Sequence, residues 1–137
     1  MRPISSGRLA AALLAVTVAV GCDRSNPAGP GAVCTDIFAF YSVEVRDTSG
    51  APVTDASLTV RVTRTADTIV AGSLALMAPG HYIIVDDNAR AKIRPSGDEI
   101  RVSGTSTAGA IAGTYVFDVP DGCHIHKVSG PDVITAQ

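Results

Sequence analysis

Two histidines separated by one residue, His124 and His126, are the clearest candidates for chemistry in this chain. On a β-strand, residues i and i+2 point to the same side, so both imidazoles would face outward together if Ile125 faces the core. Two ring nitrogens at this spacing can share a Zn²⁺ or Cu²⁺ ion, with His81 or Asp121 as a third ligand. The alternative is two solvated histidines on an outer face, and on that interpretation the chain carries no metal.

Carboxylates cluster at two predicted strand ends. Asp86, Asp87 and Asn88 follow an apolar strand and offer the oxygen ligands that Ca²⁺ prefers, but they lack the alternating spacing and the closing Glu of an EF-hand loop. We favour a polar strand end with an Asx-type turn. Asp98 and Glu99 similarly indicate the charged start of a strand beside a glycine turn.

Nucleophilic catalysis has little support in the sequence. The chain contains no Gly-x-Ser-x-Gly elbow and no glycine-rich loop that would lead into a helix and cradle a phosphate. Tyr41, Tyr82 and Tyr115 fall on different predicted strands, so we expect core or rim residues rather than a stacking platform. We expect no enzyme, with a small hydrolase as the alternative.

The N-terminal segment has the features of a processing signal. Arg2 and Arg8 precede an uncharged apolar run over residues 9–20. This run is shorter than the roughly 20 residues of a membrane span and has the length of a signal-peptide core. It ends in Val-Ala-Val-Gly-Cys at 18–22, which resembles the lipobox of bacterial lipoproteins. The resemblance implies cleavage of residues 1–21 and acylation of Cys22 on its sulfur and its new amino group, which would anchor the protein in membrane lipid.

The three cysteines, Cys22, Cys34 and Cys123, fit an oxidising compartment. If Cys22 is acylated as the lipobox implies, two cysteines remain, and we predict a Cys34–Cys123 disulfide that joins the first strand of the domain to the last. Two alternatives stay open. One is an ordinary secretory signal with Cys22 in a disulfide, and the other is a pair of free thiols that ligate a metal.

Length and charge limit the classes of protein to which this chain can belong. The chain has 137 residues, enough for one domain, with 11 basic and 13 acidic residues and a net charge of −2. Loss of Arg2 and Arg8 with the signal would make it more acidic, so we expect no nucleic acid as a partner. Residues 22–33 form the acylated cysteine and a Pro/Gly/Ser tether, and residues 34–137 form the domain.

The domain has the period-2 alternation of β-strands. In the first predicted strand the inward face would hold Ile37, Ala39, Tyr41, Val43 and Val45. The predicted strands cover residues 35–46, 57–65, 68–77, 81–87, 89–94, 98–104, 111–119 and 123–128, and residues 132–137 are a frayed tail or an edge strand. Seven or eight short strands without an amphipathic helix predict an all-β sandwich of two sheets.

Two segments resemble carboxypeptidase regulatory-like domains. In residues 43–56 a strand is followed by Asp47, a turn at Gly50 and Pro52-Val53, and residues 79–85 contain a Pro-Gly-x-Tyr strand. The resemblance implies a transthyretin-like (prealbumin-like), Ig-like sandwich and an accessory module without peptidase activity.

These features predict a lipoprotein anchored to a membrane of the bacterial cell envelope, periplasmic or surface-exposed. Its sandwich would be a non-enzymatic binding or structural module for an envelope protein or a glycan, without a cofactor. The alternative is a metal-binding envelope protein that uses His124 and His126.

Overall fold

The computed structural model describes residues 34–70, 72–73 and 78–137. The predicted signal peptide and tether, with Cys22, lie outside these residues. The described residues form one 3₁₀ helix, Asp87–Lys92, and nine strands: β1 (Phe40–Arg46), β2 (Ser57–Val62), β3 (Thr68–Ile69), β4 (Gly72–Ser73), β5 (His81–Asp86), β6 (Asp98–Ser106), β7 (Gly109–Asp118), β8 (His126–Ser129) and β9 (Val133–Thr135). No helix in these ranges is long and apolar enough to cross a membrane.

The strands form two sheets, with the orders β4-β5-β1-β9 and β3-β2-β6-β7-β8. Neighbouring strands are antiparallel except β1 and β9, which pair in parallel. The all-β prediction is therefore confirmed.

One apolar core lies between the sheets because each long strand turns its alternate side chains inward. Val43 and Val45 of β1 are fully buried, as are Val60 and Val62 of β2. Across β6 and β7 the inward residues include Ile100, Val102, Tyr115 and Phe117. Burial of one such side chain stabilises the fold by about 1.5–3 kcal/mol, so the alternate apolar residues of β2, β6 and β7 hold this face of the sheet against the core.

The C-terminal residues connect the two sheets. β9 pairs with β1 of the first sheet, and the backbone of Ala136 donates to Arg46 O. Gln137 then exchanges two backbone hydrogen bonds with Ala110, next to the start of β7 in the second sheet. The edge-strand interpretation of residues 132–137 is therefore the correct one.

The first strand is shorter than predicted, because residues 35–39 leave the sheet. Ile37, predicted to face inward, is 73% exposed. Two bonds hold this segment outside the sheet. Cys34 forms a disulfide with Cys123, and the amide of Ala39 donates to the Asp87 carboxylate at 2.8 Å. A side chain takes the hydrogen bond that a neighbouring strand would otherwise provide.

The strand predicted over residues 89–94 is wrong, because the segment belongs to the 3₁₀ helix. Asp86 caps this helix by accepting from the amide of Asn88 at 2.9 Å. Ala89 and Ile93 are buried against the core, so their apolar spacing satisfies a helical turn rather than a strand. The Asx-type turn predicted after the β5 segment is confirmed.

Two further strands differ from prediction. Where a single strand is expected over 68–77, the described residues of this range belong to two strands, β3 and β4, in different sheets. The strand expected over 123–128 begins only at His126, because Asp121 Oδ1 accepts from the amides of Cys123 and His124 and holds them in a turn.

Gly130 provides a test of core packing. Its φ is +127°, and a Cβ atom there would lie 2.2 Å from Tyr115 Cδ1, whereas Gly50, with φ +88°, has open space around it. We expect Gly50→Ala to lower the free energy of unfolding by about 1 kcal/mol through backbone strain. Gly130→Ala should cost about 1–3 kcal/mol more because Tyr115 must move. Urea unfolding measures both, and equal losses would contradict this packing.

Candidate functional site

A disulfide joins Cys34 to Cys123, as predicted. The two cysteines lie outside strands, so the bond connects the segment before β1 to the segment before β8 rather than the first strand to the last. In the chain-entropy model, closing a loop of this size, with 89 residues of sequence separation, contributes about 4–5 kcal/mol. The disulfide therefore marks the end of the domain from which the N-terminal segment leaves.

The buried carboxylate of Asp87 holds this end together. Its Oδ2 accepts from the amide of Ala39 and lies 2.8 Å from His124 Nδ1, while its Oδ1 accepts from the amide of Ile125 at 3.0 Å. Burial raises the pKa of Asp87, but the hydrogen bonds from Ala39, His124 and Ile125 outweigh burial and leave the pKa below its ordinary value. The ionised carboxylate thus joins the segment before β8 to the end of the β1–β5 pair, where the backbone of Asp87 also donates to Ala39 O at 3.0 Å.

The proton on His124 follows from this geometry. An ionised carboxylate only accepts, so Nδ1 of His124 must carry the proton that points to Asp87. In the neutral ring Nε2 is then an acceptor, and the hydroxyl of Thr35 donates to it at 2.9 Å. Hydroxyl, imidazole and carboxylate therefore stand in the order found in hydrolytic triads.

The two candidate metal ligands do not converge. His124 faces Asp87 and Thr35, whereas His126 is exposed and lies 3.9 Å from Asp118 through Nδ1. His81 is on β5 opposite Glu44. In the part of the chain that the structure describes, no group of three or more His, Cys, Asp or Glu residues could hold a metal ion. Asp121, the other suggested third ligand, accepts backbone amides instead.

The tyrosines lie in or against the core, as expected. Tyr115 is buried and packs on Phe117 with a centroid distance of 6.1 Å, and Tyr41 packs on the same ring at 5.3 Å. Burial raises the pKa of Tyr115 to about 12. The hydroxyl of Tyr82 donates to Val53 O and accepts from the amide of Ala56, both at 3.0 Å.

A second buried carboxylate, Asp98, was not singled out from the sequence beyond the start of a strand. It shares the inward face of β6 with Ile100 and Val102 and is 3% exposed. Arg64 donates to both of its oxygens at 2.8 Å, and Arg94 adds its backbone amide at 2.9 Å. The i,i+4 spacing of Arg94 and Asp98 was a usable signal, but Arg64 is distant in sequence.

These contacts keep Asp98 ionised. The hydrogen bonds from Arg64 are the largest influence, and with those from Arg94 they outweigh burial and lower the pKa to about 2. The guanidinium groups of Arg64 and Arg94 are in turn held in place at the surface. The buried Asp98 carboxylate therefore fixes the positions of two exposed cationic side chains.

The chain matches no known protein family, and neither curated proteins nor solved structures give a match.

Asp98 should make the free energy of unfolding depend on pH in the acidic range. Its pKa of about 2 in the folded protein lies below the ordinary value of 3.8, so its contribution to stability is present above about pH 4 and is lost as the pH falls toward 2. We expect Asp98→Asn to lower the free energy of unfolding by about 2 kcal/mol at neutral pH and by much less near pH 2. Urea unfolding across this range, with the exposed neighbour Glu99→Gln as control, measures the difference; parallel pH curves for parent and Asp98→Asn would contradict it.

Proposed function

We propose that this protein is a lipoprotein anchored to a membrane of the bacterial cell envelope, with a non-enzymatic binding or structural domain. The observation that carries the proposal is the Cys34–Cys123 disulfide. It uses two of the three cysteines, and the remaining one is Cys22 at the end of the apolar run. A disulfide also fits a compartment outside the reducing cytosol.

The contacts between the two segments that resemble carboxypeptidase regulatory-like domains support a transthyretin-like, Ig-like sandwich. Gly80 lies against Pro52, since a Cβ at Gly80 would be 2.8 Å from Pro52 Cβ. Gly80 O also accepts from the amide of Val45 at 2.8 Å. Tyr82, from the Pro-Gly-x-Tyr motif, hydrogen-bonds to Val53 O and to the amide of Ala56. The two motifs therefore form one packed unit, as a shared domain pattern requires.

Acylation of Cys22 is the direct test. Expressed in a bacterial host, the parent protein should fractionate with membranes, and its intact mass should exceed that of the chain from residue 22 by two or three acyl groups. Cys22→Ser should abolish acylation, and high salt should then release the protein from membranes, because one or no acyl chain gives only marginal membrane binding. Recovery of an unacylated parent, or of Cys22 in a disulfide, would overturn the proposal.

Thiol alkylation without reductant is the matched control. In denatured parent protein, neither Cys34 nor Cys123 should react until a reductant is added. Cys123→Ser should expose Cys34 to the reagent while leaving the acylation of Cys22 intact. Intact mass thus reports the acylation of Cys22, and alkylation reports the disulfide independently.

A hydrolytic activity is the second candidate, favoured by the series Thr35, His124 and Asp87. In such a reaction Thr35 Oγ1 would attack an ester carbonyl and pass its proton to His124 Nε2, which would protonate the leaving alcohol. Water would then release the acyl group and restore both residues. Against this role, Asp87 already accepts two backbone amides, so the same geometry is sufficient as a structural connection.

A fluorophosphonate probe distinguishes the two roles of this series. Because we interpret it as structural, we expect no labelling of the parent protein. Thr35→Val should leave thermal stability close to that of the parent, since Thr35 is exposed and its hydrogen bond is at the surface. Labelling that Thr35→Val abolishes would establish the hydrolase and overturn the non-enzymatic proposal.

A further inference from the structure

Basic side chains gather at one cavity of this acidic protein. A cavity of about 310 Å³, here called the basic pocket, is lined by Arg64, Arg90, Lys92 and Arg94 around an apolar floor that includes Ile93 and Val119. These four are half of the eight Lys and Arg residues within 34–137. None of the described residues that line it is acidic, so positive charge is concentrated there.

Two of the cations are preorganised. Among the described residues, the hydrogen bonds of Arg64 and Arg94 to Asp98, Lys92 O and Gly97 O use the Nε and Nη2 atoms of both guanidiniums. These bonds leave the Nη1 group of each arginine for an outside acceptor. Because Asp98 already fixes both side chains, an anion that binds them loses little additional side-chain entropy.

Four basic residues line the pocket, and one buried carboxylate fixes two of them, Arg64 and Arg94. This excess of positive charge favours an anion, and the fork of arginine matches the oxygens of a phosphate group. The apolar floor adds contact area for the non-polar part of a ligand. The chemistry of the pocket therefore fits a phosphate group attached to a partly apolar body.

The position of the pocket indicates where such a group would come from. Arg90 also lines a neighbouring cavity of about 510 Å³, whose wall includes Cys34 and Phe38. The basic pocket thus lies at the end of the domain where the tether joins. Ile37 and Phe38 are 73% and 54% exposed at the same end. A tether of residues 22–33 spans at most about 40 Å when fully extended.

We propose that the basic pocket binds the phosphate of an anionic membrane lipid, while Ile37 and Phe38 contact the interfacial layer of the bilayer. The choice of a lipid over a soluble phosphate rests on the proposed anchor, which would hold this end of the domain near the membrane. Both contacts would orient the sandwich with its opposite end away from the bilayer.

The test uses the chain from residue 22 onward with Cys22→Ser, because the described core lies wholly within residues 34–137 and no acyl chain then contributes. This protein should sediment with phosphatidylglycerol vesicles and not with phosphatidylcholine vesicles, and added salt should weaken binding. Arg90→Gln should weaken binding about tenfold, as loss of one charge-assisted contact predicts.

Arg101→Gln is the matched control, because it removes the same charge from an exposed position on β6; it should change binding by less than about twofold. Phe38→Ser should also weaken vesicle binding. Equal binding to both kinds of vesicle, or equal losses in Arg90→Gln and Arg101→Gln, would overturn the proposal. So would competition by glycerol phosphate at the affinity measured for vesicles, since the ligand would then be a soluble phosphate. Acylation of the parent protein is measured separately, so the proposed anchor and the proposed lipid-binding pocket can each be refuted without the other.

Discussion

The Asp87 carboxylate is the interaction on which the disulfide end of the domain depends. The segment before β8 meets the end of the β1–β5 pair there, and two backbone amides and one imidazole donate to a single buried side chain. Burial of an unpaired charge would be costly, whereas this carboxylate is fully surrounded by donors. Removal of the carboxylate group would leave the amides of Ala39 and Ile125 without their acceptors, so the segment before β1 and the turn before β8 are energetically coupled.

Asp98 is a second buried carboxylate whose charge is compensated, in this case by arginines at the surface. Its position on β6 faces inward, where alternation calls for an apolar residue, and two arginines compensate for its charge. The desolvation of a carboxylate is more than offset by three charged or backbone donors, but the larger effect is geometric. Long, mobile cationic side chains become fixed features of the surface, and the neighbouring 3₁₀ helix adds Arg90 and Lys92 beside them.

Regular alternation was sufficient to predict β2, β6 and β7, because their inward residues other than Asp98 are mostly apolar and their partners are also strands. Prediction failed where a side chain replaces the ladder. Ile37 has the right spacing for a buried position, yet Asp87 captures the amide of Ala39 and leads the chain out of the sheet. Residues 89–94 are apolar at a spacing that a strand and a 3₁₀ helix both accept, and the cap at Asp86 decides between them.

The site was harder to predict than the fold. The disulfide followed from counting cysteines, but the links Asp87–His124 and Arg64–Asp98 join residues more than thirty positions apart, and no local pattern in one sequence indicates them. His124 and His126 share a spacing that suggests a common ligand. The turn held by Asp121 places His124 outside β8, and the two rings face different carboxylates.

The outer strands of the two sheets have a consequence for self-association. β3 and β9, each at the margin of its sheet, contain two and three residues, and β8, at another margin, is four residues long and carries Lys127. Margins this short or charged give a neighbouring molecule little backbone on which to add a strand. Copies of the domain crowded side by side would therefore resist edge-to-edge aggregation.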